Sequence, residues 1–223
     1  MAAKNASFGD YLGYLGIRAI LGIILILPYE WRVPLAGWVG AWIVGPLAGW
    51  HRRVADHLAF VCPELSKSEV ARIQRGVASS AVKAQVEIYS GESFKRRVKD
   101  TPLDGPGVEA FREARAAGRP VVLVTAHIGN YDVVRAALFS QGYPLAALYR
   151  PMHNKFFNDF YLDRISVIGT PVFPTDRGGV LGFAKHLAAG GAIGILTDVH
   201  TRRGKTLSFF GKPVKTATSA TEW

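Results

Sequence analysis

Residues 121–132 read Val-Val-Leu-Val-Thr-Ala-His-Ile-Gly-Asn-Tyr-Asp, and this stretch decides how the chain folds around its candidate functional residues. The β-branched run before His127 is typical of a buried strand, and Gly129-Asn130 indicates a turn. Residues 131–140 then repeat apolar side chains at helical spacing. The stretch therefore predicts a strand that ends at His127, a turn, and a helix that opens near Asp132.

The same alternation of short apolar runs and helical patterns continues along the chain. Strands are predicted at 121–126, 145–149, 171–173, 192–197 and 206–210, and helices at 66–89, 108–117, 131–140, 155–166 and 179–189. Strands that alternate with helices favour an α/β fold with a mostly parallel sheet flanked by helices. A chain of 223 residues is long enough for one sizeable core of this kind.

The N-terminal region is strongly apolar, and we predict residues 1–53 to be a membrane anchor that precedes a single domain over 54–223. Two apolar spans, 11–27 and 33–50, are each near the lower length limit for crossing a bilayer, and Arg18 in the first is costly at mid-membrane. Four of the five tryptophans lie in this region, which favours the membrane–water interface. A spanning anchor, an in-plane anchor and a buried core hairpin all stay open.

Basic residues outnumber acidic ones, with 27 Lys and Arg against 17 Asp and Glu and a net charge of +10. Such a field attracts anionic partners, whether lipid headgroups, an acidic carrier protein or nucleic acid. Nucleic acid is disfavoured because the charge is scattered and no recognised binding motif accompanies it. His51-Arg52-Arg53 follows the anchor directly, as expected on its cytoplasmic side. The single cysteine, Cys62, excludes an internal disulfide and a cysteine metal site.

The His-x4-Asp spacing suggests acid–base chemistry. A helix that folds back over the strand end can bring the Asp132 carboxylate to one nitrogen of the His127 imidazole, which leaves the other nitrogen free to take a proton from a hydroxyl. Asn130 is a candidate N-cap of that helix. The alternative is that Asp132 only complements the helix dipole in the first turn.

Three further candidates follow predicted strands, where the loops of a parallel sheet converge. Arg150 is predicted to bind phosphate or stabilise an oxyanion, with a surface ion pair as the alternative. Arg177 precedes two glycines that suit either a phosphate or an ordinary helix start. Asp198 is assigned a structural or substrate-positioning role. Asp198 and His200 alone are too few ligands for a metal site, and no third ligand is evident near them in the sequence. Two more arginines extend the basic surface: Arg202 and Arg203.

Several blocks occur in series after the His-x4-Asp segment: Tyr149-Arg150-Pro151, Asn154-Lys155, Pro174-Thr175-Asp176-Arg177, Asp198-Val199-His200 and Phe209-Phe210-Gly211-Lys212-Pro213. With these blocks, the chain resembles the late acyltransferases of lipid A biosynthesis, the lauroyl- and myristoyl-transferase-like members of the lysophospholipid acyltransferase superfamily. The resemblance runs from the apolar region to about Thr218.

The resemblance implies a glycerol-phosphate-acyltransferase-like fold and transfer of a fatty acyl chain from acyl carrier protein to a hydroxyl of a lipid A precursor. It implies His127 as the base and Asp132 as its partner, Asn130, Arg150, Arg177 and Asp198 as substrate-binding residues, and no metal or other cofactor. The expected location is the cytoplasmic face of the bacterial inner membrane.

Family members continue beyond the Phe-Phe-Gly-Lys-Pro block, whereas this sequence stops at Trp223. A C-terminally shortened domain is therefore expected, with a sheet edge left uncovered. Two alternatives stay open. One is a related acyltransferase that acts on a phospholipid or glycolipid, and the other is a truncated, non-catalytic membrane-surface protein.

Overall fold

The structure is a computed structural model that describes residues 7–221, with the side chains at 202, 203 and 219 outside that description. Its centre is a four-stranded parallel sheet made of β1 (Val121–Thr125), β2 (Leu145–Tyr149), β3 (Val172–Pro174) and β4 (Ala192–Leu196). The strand order is β1-β4-β2-β3, so the last strand in sequence lies between the first two. The predicted parallel sheet flanked by helices is confirmed, and each of these strands lies within one residue of its predicted position.

Ten α-helices accompany the sheet within the described residues. They are α1 (Phe8–Ile26), α2 (Tyr29–Val39), α3 (Gly45–Leu47), α4 (Trp50–Val61), α5 (Lys67–Tyr89), α6 (Glu92–Val98), α7 (Val108–Ala116), α8 (Asp132–Ser140), α9 (Lys155–Ile168) and α10 (Arg177–Ala188). A π-helical turn, Gly40–Val44, joins α2 to α3. Helix α10 begins two residues before its predicted start because the Asp176 carboxylate accepts a hydrogen bond from the Gly179 N–H and caps it.

Helix α1 is apolar and exposed, and by length and composition it can cross a membrane. Its N-terminal half nevertheless packs on α9, with Tyr11 and Tyr14 against Phe156 and the Arg18 guanidinium 4.7 Å from the centre of the Phe160 ring. Its C-terminal half exposes aliphatic side chains such as Ile23 and Ile26. The helix is thus docked on α9 along its N-terminal half, while its C-terminal half is held by the Arg32 guanidinium, which donates to the Leu25 carbonyl at 3.1 Å.

The second apolar span packs on α5 instead of standing free. Gly40 and Gly45 allow this close approach, since a Cβ at either would come within 2.6 Å and 2.7 Å of Ala78 atoms. Trp38 and Trp42 of this segment remain exposed, as does Trp31 just before it, while Trp50 is half-buried. Of the three predicted alternatives, residues 33–50 share the packing of a core hairpin on one face and the exposed apolar surface of an in-plane anchor on the other.

Side chains from the sheet and from α8, α9 and α10 form the core. Ile193 of β4 and Phe183 of α10 are fully buried on one side, and Ala136 of α8 and Ile168 of α9 on the other. Burial of this kind is worth about 1.5–3 kcal/mol for each large aliphatic or aromatic side chain. The core therefore holds the carboxyl ends of β1 and β4 in fixed positions.

The chain after β4 forms an antiparallel hairpin of β5 (His200–Phe209) and β6 (Lys212–Thr216). The single predicted strand at 206–210 is wrong in extent and misses β6. The turn is Phe210-Gly211, and both residues have positive φ, +50° and +69°. Two positive φ values match the twist that a two-residue hairpin loop requires.

Candidate active site

The strand order brings His127 and Asp198 together. Thr125 pairs with Leu196 at the carboxyl ends of β1 and β4, and the two residues of interest each lie two positions further on. The Asp198 carboxylate accepts a hydrogen bond from the His127 backbone N–H at 2.9 Å with one oxygen, and it lies 2.8 Å from the imidazole Nδ1 with the other. These two contacts hold both the backbone and the ring of His127.

The carboxylate at Nδ1 favours the tautomer in which Nδ1 carries the proton and Nε2 the lone pair. The imidazole is 47% exposed, so Nε2 is accessible to a substrate. Partial burial alone would raise the pKa of Asp198, but the hydrogen bonds from the His127 side chain and backbone outweigh it and lower the pKa below its ordinary value. Asp198 is therefore ionised wherever a neutral imidazole can act as a base.

Tyr131 stands edge-on to the imidazole, with ring centres 5.1 Å apart. Burial raises the pKa of its phenol, as the nearby Asp132 carboxylate does to a smaller extent, and burial also raises the pKa of Tyr161 to about 12. Both phenols therefore stay neutral at ordinary pH. Tyr131 limits the rotation of the imidazole through packing and does not compete for its proton.

The structure corrects the predicted partnership between Asp132 and His127. Asp132 is buried and accepts a hydrogen bond from Arg135 Nε at 2.8 Å, and Arg135 Nη1 donates to the Gly169 carbonyl at 3.0 Å. A buried carboxylate needs a paired donor, and on a helix the residue three positions on is close enough to supply one. Asp132 therefore ties the start of α8 to the end of α9, while Asp198 occupies Nδ1.

Asn130 connects the His127 loop to two other parts of the molecule. Its amide oxygen accepts from the Asp132 backbone N–H at 3.1 Å, so it supports the first turn of α8 although the N-cap residue is Tyr131. Its amide nitrogen donates to Glu87 Oε2 at 2.8 Å, and Glu87 Oε1 accepts from the Tyr29 hydroxyl, also at 2.8 Å. The loop is thereby bonded to α5 and, through it, to α2.

Arg150 and Arg177 follow β2 and β3 at the same carboxyl edge, and both are exposed. Within residues 7–221, neither guanidinium forms an ion pair with a carboxylate. At about 4.8 Å between strands, β3 lies roughly 14 Å from β1. The two arginines therefore extend the site away from His127 and do not contact it. The side chains of Arg202 and Arg203 lie outside the described residues.

A groove of about 740 Å³ opens beside the imidazole. One face of α5 forms its wall over roughly 24 Å, from Arg72 to Ile88. Trp50 lies at one end and the His127 loop at the other, as the Gln74–His51 and Glu87–Asn130 hydrogen bonds require. Its apolar lining comprises Ile73, Val77, Ala81, Ala84, Ile88 and Ile128. At Gly76 in this wall, a Cβ would meet nothing within 4 Å.

The described residues bring no three His, Cys, Asp or Glu side chains together in a way that could hold a metal ion. The site consists instead of an imidazole, a carboxylate and an apolar groove.

Comparison with known proteins identifies the kind of protein that carries this site. The chain matches the sequence profile described as bacterial lipid A biosynthesis acyltransferase over residues 4–223. The chain belongs to this family.

Three relatives of the family agree with this match. A lipid A biosynthesis acyltransferase of Haemophilus influenzae is 22% identical over 152 residues, which cover 63% of this chain and 44% of the relative. A lipid A biosynthesis acyltransferase 2 of Shigella flexneri is 26% identical over 60% of this chain and 44% of its own length. A lipid A biosynthesis myristoyltransferase of Escherichia coli is 26% identical over 65% of this chain and 45% of its own. The chain thus spans less than half the length of the relatives it matches.

In this lipid A acyltransferase family member, sequence reasoning located the imidazole but missed two of its supports. Asp198 was placed at the correct sheet edge as a structural or substrate-positioning residue, and its contact with His127 was missed because that contact depends on the strand order. Glu87 was not considered at all. The sequence did contain a sign of its role, since this carboxylate lies between Val86 and Ile88, two apolar residues of α5 that are both buried.

Proposed function

We propose that the chain is an O-acyltransferase that moves a fatty acyl group from a carrier-protein thioester to a hydroxyl of a lipid A precursor. The observation that carries this proposal is the His127 imidazole, bonded through Nδ1 to an ionised carboxylate and exposed beside a long apolar groove. Family membership supports the same reaction class.

In the proposed reaction, His127 Nε2 takes the proton from the acceptor hydroxyl while the hydroxyl oxygen attacks the thioester carbonyl. The tetrahedral intermediate then expels the thiolate, which receives the proton from the imidazolium. Asp198 stabilises the positive imidazole between these steps and keeps its ring oriented. The products are an ester and a free thiol, so no redox or metal chemistry is needed.

The groove is assigned to the acyl chain. Its apolar wall along α5 can take methylene groups out of water, at about 0.8 kcal/mol for each one buried. Arg150 and Arg177 are assigned to the phosphate oxygens of the acceptor, since exposed, unpaired guanidinium groups suit bidentate phosphate contacts. The basic surface as a whole suits an acidic carrier protein as acyl donor.

We assign residues 1–53 to the membrane anchor and 54–223 to the acyltransferase domain, on the cytoplasmic face of the bacterial inner membrane. Helix α1 is assigned an in-plane position at the interface. Its docked half, from Asp10 to Arg18, is held on α9 by Asn154 and by aromatic contacts. The remaining eight residues to Ile26 span only about 12 Å, too short to cross a hydrocarbon core of about 30 Å.

The test uses the full chain in vesicles with a radiolabelled acyl-carrier-protein donor. Acceptors are a tetra-acylated lipid A precursor and a lysophospholipid, which represents the alternative reaction of the superfamily. We expect ester formation on the lipid A precursor, a loss of about 10²–10⁴-fold in His127→Ala, and full activity in His57→Ala, an exposed histidine on α4. If acyl transfer occurred to the lysophospholipid only, the proposed lipid A acceptor would be wrong and the alternative phospholipid acceptor would replace it. Transfer by folded His127→Ala at the wild-type rate would refute the mechanism.

A further inference from the structure

Glu87 is unusual among the residues of α5. Its neighbours Val86 and Ile88 are 3% and 1% exposed, and Glu87 itself is half-buried among the same packing elements. Each of its two carboxylate oxygens accepts one hydrogen bond, and the two donors come from separate parts of the chain. Burying a carboxylate is costly unless its oxygens accept hydrogen bonds, so Glu87 requires both donors to stay in place.

One donor belongs to the loop that carries His127. The Asn130 amide nitrogen donates to Glu87, its amide oxygen accepts from the Asp132 N–H, and its backbone carbonyl accepts from the Val133 N–H at 3.1 Å. Asn130 is three residues from His127, with Gly129 at a φ of +59° between them. Asp198 holds the loop at its His127 end, and the Asn130–Glu87 bond holds it on the far side of the glycine.

The other donor belongs to the N-terminal apolar region. Tyr29 is the first residue of α2, and the Arg32 and Arg97 guanidinium groups lie 5.0 Å and 5.2 Å from the centre of its ring. Arg97 also pairs with Glu30 at 3.2 Å, which joins α6 to α2. The Tyr29 hydroxyl is thus held in place from both sides and orients Glu87 in turn.

We propose that Glu87 is a positioning residue that sets the loop carrying His127, and that Tyr29 extends this bridge to the anchor region. The inference rests on the proposed acyl transfer for its activity readout. Glu87 contacts no reacting atom in this scheme and acts through Asn130. Correct seating of the anchor region thereby becomes part of the geometry of catalysis.

The test is an exchange of hydrogen-bond polarity. Asn130→Asp places a second carboxylate against Glu87, so the bond between them is lost. Glu87→Gln alone keeps one acceptor oxygen. In the double variant Glu87→Gln, Asn130→Asp, the glutamine amide donates to the new aspartate, which still accepts from the Asp132 N–H, while the glutamine oxygen accepts from Tyr29. The double variant keeps every bond and the net charge, with the polarity of one bond reversed.

We expect Asn130→Asp and Glu87→Ala to lower kcat by about 10–100-fold with KM little changed, because a displacement of about 1 Å can cost that much. The double variant should return kcat to within about threefold of wild type. Tyr29→Phe, which removes only the hydroxyl, should lower kcat in the same direction by a smaller factor. Hydrogen exchange in a peptide covering residues 126–134 should speed up and recover in parallel, while residues 155–168 of α9 serve as the unchanged reference.

A purely structural Glu87 would give a different pattern. Glu87→Ala would then lower Tm while kcat and the exchange of residues 126–134 stayed at wild-type values, which would overturn the proposal. Failure of the double variant to recover, with Tm at the wild-type value, would do the same. Should wild-type protein show no acyl transfer, the proposed function fails, and the exchange measurements alone still decide whether Glu87 positions the loop.

Discussion

Asp198 and Asp132 are two carboxylates close to one histidine, and their hydrogen-bond donors give them different tasks. Asp198 is bonded to His127, and Asp132 is bonded to Arg135 with both side chains below 10% exposure. The first therefore orients and stabilises the imidazole. The second compensates a buried charge, and its loss is felt mainly in the fold.

We accordingly expect Asp198→Asn to affect mainly the rate of acyl transfer and Asp132→Asn to affect mainly the stability of the fold. We expect Asp198→Asn to lower kcat by about 10²-fold or more with little change in Tm, because the amide no longer supports the imidazolium. Asp132→Asn leaves Arg135 without its countercharge and should lower the free energy of unfolding by about 3–5 kcal/mol. Kinetics per folded molecule and thermal unfolding of both variants check this. A larger kcat loss in folded Asp132→Asn than in Asp198→Asn would return Asp132 to the role of catalytic partner.

The pH dependence should report a single proton on its acid side. The lowered pKa of Asp198 keeps this carboxylate ionised at and above its ordinary value near 4, so Asp198 adds no proton of its own to the acid side of the profile. The logarithm of kcat/KM should then fall with a slope of about one toward acid. The stabilisation from Asp198 is present above its unfolded pKa and disappears only as pH falls through the lower folded value. A limiting slope of two would show that the carboxylate titrates with the imidazole.

At this scale, the sequence predicts the histidine at the end of β1 but not the carboxylate that is bonded to it. A spacing of five residues suggests a contact between His127 and Asp132, because sequence patterns indicate contacts only between residues that are close along the chain. The actual partner is 71 residues away. It becomes a neighbour only when β4 is placed beside β1, which no local pattern specifies.

Among the elements, α5 shapes the site most. Its groove face carries Gly76 in a helix interior, where glycine costs roughly 1 kcal/mol relative to alanine. A Cβ there would meet no neighbouring atom, so packing does not explain the glycine. A larger side chain at this position would project into the groove, which the proposed function assigns to the acyl chain.

Gly76→Leu should therefore reduce transfer of long acyl chains more than of short ones. We expect kcat/KM to fall about tenfold or more for a long-chain donor and to stay near wild type for a short one, since each methylene kept out of the groove forfeits about 0.8 kcal/mol. Gly76→Ala is the control, and it should raise the free energy of unfolding by about 0.5–1 kcal/mol with little change in chain preference. Donors of graded length and denaturant unfolding provide the measurements. Equal losses for all donors would place the acyl chain elsewhere.

The in-plane assignment of α1 predicts that both ends of the helix face the same side of the membrane. Gly9→Cys and Pro28→Cys, each made in a Cys62→Ser background, can be labelled with a membrane-impermeant maleimide in sealed vesicles of known orientation. We expect both cysteines to react from the cytoplasmic side, because docking on α9 holds Tyr11, Tyr14 and Arg18 at the domain surface. Reaction of the two positions from opposite sides would establish a spanning helix.

The four strands of the parallel sheet were predictable because each is a short, mostly apolar run bounded by glycine, proline or polar residues. Strand β6 was not predictable, since Lys-Pro-Val-Lys-Thr contains a proline and two charged residues. Its side chains alternate between partly buried and exposed, so none is fully buried. The attachment of α1 and of residues 33–50 was not predictable either. It depends on α9 and α5, which lie far along the sequence.

For the whole molecule, charge and strand order act together. The carboxyl edge of the sheet presents His127 with Asp198, then Arg150, then Arg177, in the spatial order of their strands. The chain as a whole carries a net charge of +10. Under the proposed function, we expect these arginines and this net charge to attract an anionic acceptor toward the imidazole.

Acyl transfer should consequently weaken as salt rises, because the screening length is only about 8 Å at physiological ionic strength. Arg150→Ala should raise the apparent KM for a phosphorylated acceptor more than for its dephosphorylated counterpart. The comparison needs both acceptors at low and high salt, with Lys67→Ala on the exposed start of α5 as a charge-matched control. Equal effects on the two acceptors would assign Arg150 to the oxyanion or to the fold.

The position of β4 between β1 and β2 also has a consequence for biosynthesis. As the chain leaves the ribosome, β1 and β2 emerge long before β4, yet they cannot pair with each other in the native sheet. Until residues 192–196 arrive, the facing edges of both strands carry unpaired backbone groups that can recruit other chains. The insertion of β4 pairs these facing edges and in the same event brings Asp198 to His127, so the hydrogen-bonded pair forms only when the sheet has assembled around β4.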